Sequence, residues 1–104
     1  MERINDGVYV QHFKREYKNI GTNYCYKVLN TNVLNTETKE RMVVYQALYD
    51  DFSYFCRPYD MFISEVDKIK YPDIHQHYRF ETVADSELLE RCKVVCERLK
   101  IQFS

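Results

Sequence analysis

Two glycines, two prolines and no tryptophan occur in 104 residues. So few chain breakers and so few flexible residues exclude a disordered tract and favour regular elements. No apolar run approaches the ~20 residues that a membrane-crossing helix needs. The start, MERINDGVYV, has no apolar stretch of signal-peptide length. A cytoplasmic protein is therefore expected, with Cys25, Cys56, Cys92 and Cys96 held as thiols. A Gly-rich phosphate loop, a nucleophile elbow and paired helix carboxylates are all missing, which leaves catalysis the poorest reading. The charge balance is nearly even, with a formal net charge of −1. No bulk field draws the chain to nucleic acid or membrane, although a local basic patch can still act.

What is abundant is tyrosine, with ten residues. A phenol pairs a large apolar body with a hydroxyl, and so suits half-wet faces and interfaces. The chain length fits one domain over residues 1–104, with a β core at 7–80 and a helix at 85–100. GVYVQHF alternates as a strand does, with Val8, Val10 and His12 on one face and Tyr9, Gln11 and Phe13 on the other. YCYKVLNTNVLN is rich in strand formers, and TETKE fits a hairpin connection. RMVVYQALY places Met42, Val44 and Leu48 on one face and Val43, Tyr45, Ala47 and Tyr49 on the other. Asp50 and Asp51 begin a turn. SYFCR forms a short strand that stops at Arg57, because Pro58 has no N–H for a ladder. PYDMF fits one helical turn with Pro58 at its first position. FISEVDKI is a further strand candidate, and KYPDIHQHYRFETV reads as irregular or as an edge strand. From Asp85 the period changes: residues 88, 89, 92, 95, 96 and 99 are apolar at helical spacing. Asp85 or Ser86 caps this helix, with Glu87 and Glu90 early and Arg98 and Lys100 late, as its dipole favours. The expected fold is mainly β: a small antiparallel SH3-like barrel or curled sheet with one C-terminal amphipathic helix.

GVYVQHFK, YKVLN, TETKERMVVYQALY and FCRPYDMF, in this order, resemble the small bacterial and phage domain of unknown function 1653. The resemblance spans roughly residues 7–66. It implies a small SH3-type barrel and carries no established activity. The chain departs from the pattern in four ways. The loop KREYKNIGTNYC is longer, Lys39 stands where a turn glycine is usual, and Phe55 replaces tryptophan. Asp60 replaces glutamate, and the helix after 85 lies outside the resemblance.

VVYQALYDDFSYFCRPYDMF crowds aromatic rings around Arg57. A guanidinium fixed before Pro58 can fork onto a phosphate or carboxylate while rings stack beside it. It can equally be a structural arginine paired with Asp60 or with Asp50 and Asp51. Tyr9, Phe13, Tyr45 and Tyr49 form a candidate stacking face or an ordinary core. Gln46 is a buried amide or a groove donor. HFKREYK interleaves Lys14, Arg15 and Lys18 with aromatics, which suits single-stranded nucleic acid or a solvated loop. Cys92, Cys96, His75 and His77 make a weak zinc candidate, and no cofactor or metal is expected. The reading is a non-catalytic module for an anionic, ring-bearing ligand: a nucleotide, a signalling nucleotide or a short single strand. Its expected contacts are Arg57, Tyr45, Tyr49, Tyr54, Phe55, Tyr9, Phe13, Lys14 and Gln46, although alternation puts Tyr54 opposite Phe55 and Arg57. A homo-oligomer is expected. The alternative is an interaction module that uses the tyrosine face and the helix stripe, and the remaining one is a small nucleotide-processing enzyme.

Overall fold

The computed structural model describes the backbone of residues 2–103 and the side chains of residues 2–100. Strand β1 (Tyr9–His12) runs into a 3₁₀ turn at Phe13–Glu16. Strands β2 (Cys25–Leu34), β3 (Arg41–Ala47) and β4 (Tyr54–Pro58) follow, then a single helical turn, α1 (Tyr59–Phe62). Strand β5 (Phe80–Thr82) and helix α2 (Ser86–Phe103) complete the chain. The sheet is antiparallel throughout, in the order β4-β3-β2-β1-β5. It is open: a mainly β, curled sheet with one C-terminal helix, and not a closed barrel.

Side chains bridge the gap that the backbone leaves. Register shifts at Val28/Asn30 and Asn30/Val33 bend β2, the longest strand. The curl brings the Arg57 guanidinium of β4 to 5.9 Å from the Phe80 ring centre of β5. Phe62 of α1 plugs the space between the edges, stacked on Phe80 at 4.1 Å and 7°. Arg3 clamps the same seam by donating to the carbonyls of Phe80 and Ile63 at 2.7 and 3.0 Å.

Alternation divides the sheet into two faces. Val10, Tyr26, Val28, Val43, Tyr45 and Ala47 pack with Ile4, Phe62 and Phe80 on one side. On the other, Cys25, Leu48 and Val83 meet Leu88, Cys92 and Leu99 of α2. The apolar stripe read in the sequence is therefore covered by the chain's own sheet. Asp85 caps α2, its carboxylate accepting from the N–H groups of Glu87 and Leu88 at 2.9 and 3.2 Å.

Three local expectations are corrected. FISEVDKI forms no strand: a single bridge joins Glu65 to Tyr78. Immediately beyond, the Asp67 carboxylate accepts from the N–H groups of Ile69 and Lys70, which turns the chain away from any ladder. Pro58 lies inside β4, opposite Met42, and caps α1 instead of opening it. An edge strand tolerates the missing N–H. Phe13 leaves β1's alternation, because the chain turns 3₁₀ at that residue.

Candidate ligand-binding face

The face opposite α2 gathers rings from four strands and carries two nitrogen bases. Register sets its membership. Val10 lies opposite Tyr26, Tyr26 opposite Ala47, Tyr45 opposite Phe55 and Val43 opposite Arg57. His12 pairs with Phe80, two residues on from Val10, and so points the same way. Rings touch across the whole face. Tyr24 lies 5.4 Å from Tyr49, Tyr49 lies 5.6 Å from Tyr26, and Tyr45 lies 5.8 Å from Phe55.

Burying phenols requires partners for their hydroxyls. Tyr26 and Tyr49 supply one another, oxygen to oxygen at 2.6 Å. Tyr45, only 4% exposed, accepts from Arg57 Nε at 2.8 Å. Burial raises the Tyr45 phenol and the Arg57 bond only partly offsets that, so it keeps its proton at neutral pH. Burial likewise raises Tyr26 and Tyr49. Arg57 makes one further contact, Nη1 to Met61 Sδ at 3.7 Å. Among the described residues no carboxylate pairs with Arg57, neither Asp60 nor Asp50 nor Asp51.

His12 stands beside this group. Its ring meets Phe80 edge-on at 5.0 Å and Tyr24 at 6.0 Å. Nδ1 accepts from the Lys14 N–H at 3.1 Å. Burial, aided by the charges of Arg57, Lys14 and Arg79, pushes the imidazole down to about 4, so it is neutral at pH 7.

The nine residues expected at the site do not converge. Arg57, Tyr45, Tyr49 and Phe55 share the aromatic face, and Phe55 is 46% exposed. Tyr54 points the other way, as alternation requires, and is 68% exposed. Tyr9 pairs with Lys27, which faces Gln46, so it lies on the α2 side. There burial and the nearby Cys96 push its phenol up to about 12. Phe13 is buried with Val66 and Ile74, and Lys14 follows it on the 3₁₀ turn. Gln46 holds the β3–β4 turn by donating to the Phe52 carbonyl at 3.2 Å. Tyr9, Phe13, Tyr45 and Tyr49 thus form no common face. Strand parity carries across a sheet only through register, and register depends on loops and bulges.

Other candidates also separate. Arg15 closes its own loop on the carbonyls of Asn23 and Gly21 at 2.7 and 3.2 Å. His75 pairs with Glu16 and His77 with Glu65, while Cys92 and Cys96 are buried beneath α2. Among the described residues no three metal-ligating side chains converge. Cys25 faces α2, away from His12. Tyr24, Tyr26, His12 and Phe80 belong to the face but stood outside the expected set. The alternating YCY of residues 24–26 was their one visible signal.

The model of one family, described as Protein of unknown function (DUF1653), matches residues 7–82. The chain belongs to that family. The match runs beyond residue 66 to take in β5, and it ends before α2. The DUF1653 portion therefore supplies the whole sheet and the whole aromatic face, and α2 closes the opposite side. No curated protein and no solved structure matches the chain significantly.

Proposed function

We propose that this chain is a non-catalytic binding module for an anionic, ring-bearing ligand, of which a nucleotide is the best-fitting class. The observation that carries the reading is the Arg57 guanidinium. It is aimed by the buried Tyr45 hydroxyl and has no carboxylate partner among the described residues. A guanidinium held at Nε by a hydroxyl and at Nη1 only by a long thioether contact keeps most of its outer N–H groups for a phosphate or carboxylate. The half-open rings of Tyr24, Tyr49 and Phe55 offer stacking surface worth ~1–3 kcal/mol per base. Tyr24 adds backbone strain, with φ at 57°, which a bulky residue adopts at a cost. A signalling nucleotide and a short single strand both fall within this class. The four free thiols fit a cytoplasmic setting. No helix among the described residues is long and apolar enough to cross a membrane.

The test is calorimetric titration with purine and pyrimidine nucleoside monophosphates and a short oligothymidylate. Saturable binding is expected, with Arg57→Ala weakening it by about tenfold or more. Arg57→Ala also unpairs the buried Tyr45 hydroxyl, so it should cost about 1–3 kcal/mol of stability while the chain stays folded. Unfolding of the variant, or unchanged binding, overturns the reading.

A homo-oligomer joined through β4 is the second reading. β4 is an unpaired sheet edge whose Tyr54, Phe55 and Cys56 are all exposed. Such an edge is a template for a further strand. Light scattering on the wild type and on Tyr54→Lys separates the two readings, since Tyr54 lies on the face away from Arg57.

A further inference from the structure

Lys14, Lys70 and Arg79 stand around a cavity of about 240 Å³ whose other walls include the rings of His12, Phe13 and Tyr71. We propose that this cavity is a binding site for a phosphoryl anion, adjoining the aromatic face at His12 but without Arg57 in its walls. Three cationic side chains reach it from three segments: the 3₁₀ turn, the turn begun by Asp67, and the residue before β5. Like charges brought together repel unless something screens them. Several cations elsewhere are engaged by the chain. Arg3 and Lys68 donate to carbonyls, and Arg41 and Arg91 pair with Glu2 and Glu87. The side-chain nitrogens of Lys14, Lys70 and Arg79 have no ion pair among the described residues, although Lys14 and Arg79 are half-buried.

One carboxylate, Asp67, also lines the cavity. Its Oδ1 is occupied, accepting from Ile69 N and Lys70 N at 3.0 and 3.2 Å. Asp67 therefore shapes the turn that carries Lys70.

The backbone under each cation is tied down. Phe13 N donates to the Arg79 carbonyl at 3.0 Å and Arg79 N to the Ser64 carbonyl at 2.9 Å. Tyr71 N donates to the Asp67 carbonyl at 2.8 Å, and Lys14 N to His12 Nδ1 at 3.1 Å. A site built before its ligand arrives loses little ordering entropy on binding. The chemistry favours a phosphoryl group over a lone carboxylate. An arginine fork and two lysine point charges, spread around one hollow, match several non-bridging oxygens and more than one negative charge. Phe13 and Tyr71, with ring centres 4.8 Å apart, give the hollow an apolar wall that limits screening by water.

The test uses inorganic pyrophosphate in chloride buffer at constant ionic strength, read by calorimetry and by backbone amide shifts. Saturable one-site binding is expected, with the shifts centred on Lys14, Lys70, Tyr71 and Arg79. Arg79→Gln and Lys14→Gln should each weaken it by about tenfold or more, and Arg57→Ala should leave it unchanged. Should Arg79→Gln fail to fold, exposed Lys70→Gln carries the same expectation. Unsaturable binding, or equal affinity in the variants and the wild type, overturns the site. Because Arg57→Ala separates the two faces, loss of nucleotide binding with pyrophosphate binding retained counts against neither proposal, and each stands on its own probe.

Discussion

The two faces of one sheet are filled by different chemistry. Between the sheet and α2 lie thiols and aliphatic chains: Cys25, Leu48 and Val83 below, and Leu88, Cys92 and Leu99 from the helix itself. Such groups need shape alone, and a helix closes over them. Cys92 is fully buried there, and the neighbouring Cys25 thiol, together with burial, pushes its thiol upward. The opposite face is filled by phenols, a neutral imidazole and a guanidinium. Each hydroxyl there must find a partner, so the packing is also a hydrogen-bond network. This second face carries the Arg57 guanidinium without a carboxylate partner among the described residues, and α2 does not cover it. Residue choice alternates along the same strands, so the helix seal and the aromatic face are interleaved one residue apart.

The largest expected effect comes from emptying one ring on the aromatic face. Phe80 is 1% exposed and stacks on Phe62 across the seam between the sheet's edges. Phe80→Ala should cost about 3–5 kcal/mol in urea denaturation. Leu88→Ala, in the first turns of α2 and 8% exposed, should cost about 2 kcal/mol. Equal costs would mean that the aromatic side chains contribute no more to stability than the helix seal.

Acid should act on the aromatic face first. His12 takes a proton only near pH 4 in the folded chain, against 6.5 for the free group. As pH falls below 6.5 the unfolded chain binds a proton that the folded chain refuses, so stability is full above that pH and declines toward pH 4. The ceiling is on the order of 3 kcal/mol, and solvent screening reduces it. Glu2, Glu16 and Asp51, whose folded values are lowered, begin to lose their contribution only as pH drops through the ordinary carboxylate range. Chemical denaturation between about pH 5.5 and 7 therefore reports chiefly on His12. His12→Asn, which keeps an acceptor for the Lys14 N–H, should flatten the slope. A slope that survives in the variant would place the titrating group elsewhere.

Local features were legible in the chain because local physics sets them. The α2 stripe, the Asp85 cap, the β3 alternation and the opposition of Tyr54 to Arg57 all follow from a period and a neighbour. What depended on register was not legible. Tyr9 and Tyr45 occupy the same parity in their own strands yet face opposite ways, because β2 lies between them and sets the offset. His12 and Phe80 are 68 positions apart and pair only through β5, three residues long. The phosphoryl cavity depends on residues 67–79, where FISEVDKI suggested a strand that does not form and KYPDIHQHY carried no period to read.

A finer comparison lies within the phenol pair. Removing the Tyr49 hydroxyl strands the buried Tyr26 oxygen without a partner. Removing the Tyr26 hydroxyl leaves half-buried Tyr49 free to bond water. Tyr49→Phe should therefore cost about 1–3 kcal/mol and Tyr26→Phe about 1 kcal/mol or less. A double-mutant cycle on thermal or urea unfolding measures the difference. The reverse order would mean that water reaches Tyr26 and that the face is wetter than its packing indicates.

The smallest effect tests stability apart from either face. Lys39 closes the β2–β3 turn with φ at 65°, donating its N–H to the Asn35 carbonyl at 2.7 Å. A left-handed backbone strains any side chain there by roughly 1 kcal/mol, and glycine relieves that strain. Glycine also loosens the unfolded chain, which takes back part of the gain. Lys39→Gly should thus stabilise by about 0.5 kcal/mol. The turn touches neither the aromatic rings nor α2, so nucleotide and pyrophosphate affinities should both stay fixed. If either affinity shifts with this substitution, stability and binding are coupled through the sheet, and the Arg57 and Arg79 variants must be compared at matched stability.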